Sequence, residues 1–175
     1  MRLINKAKKG DYPEYAEMYM KLVPDDGLIL KHLKDGFVTV KDLIHSLPKE
    51  KLFYRYAEGK WSIKEILVHI IDDERIFSYR ALRFARNEKI NLVGFDQDAY
   101  AIYSEADKRD LDNIFEEYEA VRNATIALFN GLPEGSLDRM GHGTGTANDA
   151  TVRALAYHIA GHELHHLHFI KENYL

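Results

Sequence analysis

An all-α bundle of four helices is the fold this sequence predicts, on three observations. Four long segments carry apolar residues at three- and four-residue spacing, the period of a helix that buries one face. Strand-like alternation is scarce along the whole chain. Two of the four segments open on capping residues, Ser62 and Thr151, whose side-chain oxygens can accept from otherwise unpaired amide N–H groups. With 175 residues the chain reads as a single domain over residues 1–175. That length suffices to bury roughly 70% of the surface its unfolded form exposes.

The first helix follows Pro24-Asp-Asp-Gly27 and runs through Leu30, Leu33, Phe37, Val40, Leu43, Ile44 and Leu47, stopping at Pro48. The second has the clearest start in the chain. Ser62 is its N-cap, Glu65 completes a capping box, and Trp61 is placed to staple onto Ile66. This helix continues to about Arg86. Residues 87–106 form a long connection that includes Asn91-Leu-Val-Gly-Phe95-Asp-Gln-Asp-Ala-Tyr100, with room for a short helix. Connections of this length often cover a site or pack a partner. The third helix spans about Lys108 to Asn130 and is closed by Gly131-Leu-Pro133. The fourth begins after Thr151 and runs almost to the end. Between them, Gly141-His-Gly143-Thr-Gly145-Thr reads as a mobile polar connection. It is no P-loop, because the Lys-Ser/Thr that should follow the glycines is missing.

Composition excludes several classes of function. The balance of 24 Lys+Arg against 28 Asp+Glu, a formal charge of -4, gives no electrostatic case for a nucleic-acid partner. The absence of cysteine removes a disulfide framework, a thiolate metal site and a cysteine nucleophile together. Any metal site must be built from His, Asp and Glu. The opening residues lack the apolar run of a signal peptide, and no segment reaches about 18 apolar residues, so a cytoplasmic protein without a membrane partner is expected.

The chemistry concentrates at the C-terminus, in His158-Ile-Ala-Gly-His162-Glu-Leu-His165-His166-Leu-His168. On a helical wheel Val152, Leu155, Ile159 and Ile170 mark the apolar stripe of the fourth helix. His162 and His166 fall inside it, His158 and His165 at its edge, and His168 well away. Two imidazoles one turn apart on a buried face cost free energy unless their nitrogens are satisfied, and one metal ion satisfies both. Core histidines bonded to carboxylates or backbone are the alternative. On the second helix His69 flanks the stripe of Ile63, Ile66, Leu67, Ile70, Phe77 and Phe84. It becomes a candidate third ligand if the bundle brings helices two and four together. Asp73, one turn on, is a candidate either to orient His69 or to ligate directly. Asp72, Glu74 and Arg75 read as a solvated or salt-bridging face.

The run Trp61-Ser-Ile-Lys-Glu65-Ile-Leu-Val-His69-Ile-Ile-Asp72-Asp-Glu74-Arg-Ile-Phe-Ser-Tyr-Arg80 closely resembles the second-helix signature of DinB-like (damage-inducible) proteins. The resemblance continues through Ala85-Arg86, Phe95-Asp-Gln-Asp-Ala-Tyr100 and Gly161-His162-Glu-Leu-His165-His166, and so covers nearly the whole chain. It implies a four-helix bundle with a divalent metal, zinc or nickel, held between helices two and four by His69, His162 and His166. It also implies a homodimer and a small-molecule substrate, since some relatives are S-transferases that use bacillithiol, mycothiol or glutathione.

Three imidazoles leave a metal with open positions, as in catalytic zinc sites. The expected function is therefore an enzyme, and the resemblance implies a metal-dependent thiol S-transferase as its first reading. A metal-dependent hydrolase, a non-enzymatic structural or sensing module, and a bundle with no physiological metal are the alternatives. S-transfer suits a chain without cysteine, because the thiol comes from the cosubstrate. Asp73 and Glu163 are the candidate proton carriers. His162-Glu163-Leu-His165-His166 also matches the metalloprotease pattern H-E-x-x-H, in which Glu163 would be the general base. The longer metzincin form would need Gly and His where this chain has Phe169 and Glu172, and only nine residues follow His166.

Overall fold

The computed structural model describes residues 1–144 and 149–175. Four long helices form the bundle: α2 (Ile29–His45), α3 (Ile63–Ala85), α5 (Leu111–Gly131) and α6 (Val152–Asn173). Two short helices join them, α1 (Glu17–Met20) ahead of the bundle and α4 (Gln97–Tyr103) within the long connection. Apart from four short 3-10 helices, the remaining regular structure among the described residues is a two-residue antiparallel ladder, β1 (Met140–Gly141) with β2 (Ala150–Thr151), paired Met140 to Thr151 and Gly141 to Ala150. Leu92 bridges to Gly143, tying the long connection to this ladder. Gly145 and Thr146 of the glycine-rich segment lie outside the described residues.

Local chemistry sets the helix starts. The Ser62 hydroxyl accepts from Glu65 N, and the Glu65 carboxylate accepts from Ser62 N at 2.7 Å, so both halves of the capping box are made. Thr151 caps α6 by accepting from Ala154 N at 3.3 Å. Helix α5 begins at Leu111, three residues later than the periodicity predicts. Glu105 adopts a left-handed backbone (φ 47°), and Lys64 takes the carbonyls of Asp107 and Arg109 as acceptors, so those groups are not free to start a helix.

The core is divided. One apolar cluster joins α1, the start of α2, Phe77, Ala81 and Phe84 of α3, and the first half of α6. The other joins Phe37, Val40 and Ile44 of α2, the first half of α3, α5 and the end of α6. Between them, every long helix contributes polar or side-chain-free positions: Gly36, Asp73 and Glu74, Arg122 and Thr125, His162 and Glu163. This buried polar layer holds all the candidate chemistry.

Two glycines permit the close approaches around that layer. A Cβ on Gly36 would meet Glu163 Oε1 at 1.9 Å. A Cβ on Gly161 would lie 2.3 Å from the Tyr19 carbonyl oxygen, so α1 rests directly on the α6 backbone. Gly161→Ala should therefore destabilise, although alanine favours a helix by about 1 kcal/mol. The clash is with backbone, and overpacking of this kind costs about 1–3 kcal/mol. Urea denaturation should show a net loss for Gly161→Ala and none for Gly131→Ala, which meets nothing within 4 Å.

Candidate metal centre

The capping box that starts α3 fixes the position of His69 two turns later, and the Thr151 cap does the same for His162 and His166 three and four turns into α6. The two helices pack along each other, and the three rings converge. His69 Nε2 and His166 Nε2 each lie 3.1 Å from His162 Nε2, and all three candidate ligand atoms fall within 4.8 Å of one another. His69 and His162 are each 4% exposed, and His166 is half-buried. His168 points to solvent.

Three convergent ring nitrogens are poorly served by hydrogen bonding alone. A neutral imidazole offers one N–H and one lone pair, so the His162 nitrogen, facing two others, leaves at least one contact unsatisfied. Burial, reinforced by the neighbouring imidazoles, pushes His162 and His166 well below the ordinary histidine range. Burial lowers His69 too, against the opposing pull of the Asp73 and Asp98 carboxylates. All three are thus neutral, the form that binds metal. With metal–nitrogen distances of about 2.0–2.1 Å, neighbouring ligand atoms stand about 3.3 Å apart in a tetrahedron and about 2.9 Å apart in an octahedron. Two of the three separations, at 3.1 Å, lie between these, and three neutral imidazoles are a donor set that suits a divalent metal ion.

Asp73 does not bond His69, the neighbour one turn away. Its Oδ2 lies 3.4 Å from His162 Nδ1 and 3.3 Å from His158 Nε2. Packing explains the difference: α6 brings two imidazole edges to the face of α3 that carries the carboxylate, whereas His69 turns its own Nε2 to the centre. Asp73 thus stands behind His162, on the side of Nδ1 and away from the Nε2 that faces the other two rings, where a carboxylate favours a proton on Nδ1. His158, read from the sequence as an edge residue, is buried. Its ring stacks on Phe77 at 3.7 Å with planes 5° apart, and Tyr19 meets His158, His162 and His165 edge-on. Tyr19 and its helix α1 carry no periodic signal that the sequence reading could detect.

Glu163 is removed from the centre. On α6 it stands about 100° round from His162 and points at α2 and α5. It accepts from Arg122 Nη2 at 2.5 Å and from the Tyr118 hydroxyl. Arg122 is held in turn by Glu74 at 2.8–3.0 Å and donates to the Leu33 carbonyl. Glu163, a candidate proton carrier from the sequence, thus faces the Arg122 group and not the three histidines. Glu74 takes the salt-bridging alternative, but inside the core: it is 1% exposed and pairs with Arg122. Arg75 does form an exposed ion pair, with Glu117.

On its open side the centre faces a cleft of about 790 Å³ whose walls include Trp61, Asp98, Ile102, His166 and Phe169. Trp61 lies against His69, ring centroids 4.8 Å apart. Asp98 belongs to α4, so the long connection between α3 and α5 does help to wall the site, as its length predicts.

Two outcomes follow from this geometry. Asp73→Asn should weaken metal affinity about 10- to 100-fold, read by competition with a chelator, while helical circular dichroism stays unchanged. In chelator-treated protein the three histidines bind protons more weakly folded than unfolded. Stability is therefore present above the unfolded pKa of about 6.5 and falls as pH drops through it, by up to about 4 kcal/mol per pH unit for three groups. Denaturation midpoints between pH 7.5 and 5.5 measure this slope, and metal should flatten it.

Comparison with known proteins agrees with the geometry. Over 144 residues the chain is 28% identical to a protein of Oceanobacillus iheyensis provisionally named a metal-dependent hydrolase (OB0413), covering 81% of each. Its fold matches that of YfiT from Bacillus subtilis with a TM-score of 0.76 at 15% identity, covering 96% of this chain and 91% of the other. That protein is described as a probable metal-dependent hydrolase with an unusual four-helix bundle topology. Residues 36–170 match the family model of the DinB superfamily, and with most of its length inside that match the chain belongs to this superfamily.

Proposed function

We propose that the protein is a metal-dependent enzyme that holds zinc or nickel on His69, His162 and His166 and transfers a low-molecular-weight thiol of the bacillithiol type to an electrophile. The observation that carries this reading is the division of the buried polar layer: three neutral imidazoles converge behind a cleft that His166 lines, while the buried carboxylates beside them lie on the closed side, Asp73 against His158 and His162 and Glu163 against Arg122. When bound, the metal supplies Lewis acidity, which makes a thiol or water acidic near neutral pH. A thiol acidified in this way needs no carboxylate base, whereas H-E-x-x-H hydrolysis needs a glutamate that can take the proton of water. Glu163 is placed to hold Arg122 instead. The chain has no cysteine, so the sulfur comes with the cosubstrate.

The residues divide the remaining work. Asp73 keeps His162 in the ligating tautomer. Trp61 and Phe169 keep part of the cleft dry, which strengthens every electrostatic interaction within it. In the reaction the thiol S–H bond breaks and a sulfur–carbon bond forms. The leaving group departs with its bonding pair, and the proton passes to solvent. Hydrolysis is the second reading, favoured by the names given to the Oceanobacillus and Bacillus relatives. Among the described residues no helix is long and apolar enough to cross a membrane.

His69→Ala, His162→Ala and His166→Ala should each sharply reduce metal stoichiometry in untagged protein, and His168→Ala should not. Zinc- or nickel-loaded protein, offered a generic electrophile with bacillithiol, glutathione or cysteine, should consume thiol in a metal-dependent way that His162→Ala abolishes. Ester cleavage without thiol would establish the hydrolase. Turnover of neither, with metal fully bound, would leave a structural or sensing module. Glu163→Gln should lower the melting temperature more than it lowers kcat.

A further inference from the structure

The cleft has a chemical polarity that the metal centre does not explain. Four charged residues line it: Arg55, Lys60, Glu65 and Asp98. Arg55 and Glu65 pair with each other, and each has a further partner, Asp107 for Arg55 and the Ser62 amide for Glu65. Lys60 and Asp98 carry no ion pair among the described residues. They stand in different parts of the cleft. Asp98 is on the side of the histidines, where its charge acts on His69. Lys60 is at the aromatic side, its Nζ 5.8 Å from the centre of the Tyr56 ring. Tyr56 meets Phe169 and Tyr174 edge-on at 5.6 and 5.4 Å, and Phe169 lies one helical turn beyond His166. Beyond His166 the lining is therefore aromatic, and Lys60 beside Tyr56 is a cation without an ion pair among the described residues.

We infer that the cleft binds a substrate with a flat apolar body and an anionic group at the end remote from the histidine centre. Phe169 and Tyr56 flank the body, and Lys60 takes the anion. Several features favour this polarity over its reverse. A carboxylate beside Asp98 would meet like charge, whereas one beside Lys60 gains a charge-assisted hydrogen bond. The aromatic residues of the lining, Tyr56, Trp61, Phe169 and Tyr174, favour a planar hydrocarbon body over a polar one. A cleft of about 790 Å³ is of the size that encloses a small organic ligand. The inference rests on the reading that substrate meets the histidines in this cleft, and it names the class of that substrate.

Calorimetry on zinc-loaded, untagged protein tests it with three probes of one shape and different charge: 2-naphthoate, 2-naphthylmethanol and 2-naphthylmethylammonium. The carboxylate should bind tightest. Lys60→Glu should weaken 2-naphthoate roughly tenfold or more and leave the alcohol unchanged, whereas Phe169→Ala should weaken both alike. Equal affinity for all three probes would overturn the inference. So would a carboxylate preference that survives Lys60→Glu, because the carboxylate would then be seated on the zinc. Binding reads the cleft and turnover reads the histidine centre, so a naphthoate site that depends on Lys60 in a protein without turnover would count against the enzyme alone.

Discussion

The bundle is organised around one guanidinium. Arg122 is 2% exposed and faces two carboxylates, Glu74 and Glu163, that are each 1% exposed, with the Tyr118 hydroxyl and the Leu33 carbonyl completing its shell. A buried charge is tolerable only when fully partnered, and removing one member of such a group costs about 3–5 kcal/mol. The partners come from all four long helices, so satisfying Arg122 fixes how far each helix slides along the others. A one-residue slip of α3 or α6 would turn Glu74 or Glu163 away by about 100° and strand the guanidinium.

The same register builds the histidine centre. Asp73 and Glu74 are consecutive on α3, and His162 and Glu163 are consecutive on α6. In each pair one residue serves the histidine cluster and the next serves Arg122. The two sites stand back to back across the α3–α6 contact, one open to the cleft and one closed. The closed site spends its carboxylates on structure. The open site is left with neutral imidazoles, and its electrostatics are set by Asp73 behind and Asp98 in front.

What was legible in the sequence was what depends on neighbours along the chain. The Ser62 capping box, the Thr151 cap, the helical period and the His162/His166 spacing are local, and each was readable. The convergence of His69 on that pair was readable only through the bundle that the resemblance implies. Long-range pairing was not readable. Nothing in the residues around Glu74 or Glu163 signals an arginine 48 or 41 positions away, and a charged residue on a helix is by default read as solvated. The neighbours of Asp73 follow the same rule: helical spacing offers His69, while tertiary packing supplies His162 and His158. Helix α1 was missed because four residues are too few to display a period, yet its Tyr19 touches three of the clustered histidines.

The contact between Trp61 and His69 has an optical consequence. The chain contains one tryptophan, and its indole lies 4.8 Å from the imidazole of a candidate ligand. All of the protein's indole emission therefore originates beside the centre, in a half-buried ring that also walls the cleft. An open-shell ion such as nickel and a closed-shell ion such as zinc would leave different marks on that emission. The identity of the metal acquired in a cell could then be read from the intact protein by light alone.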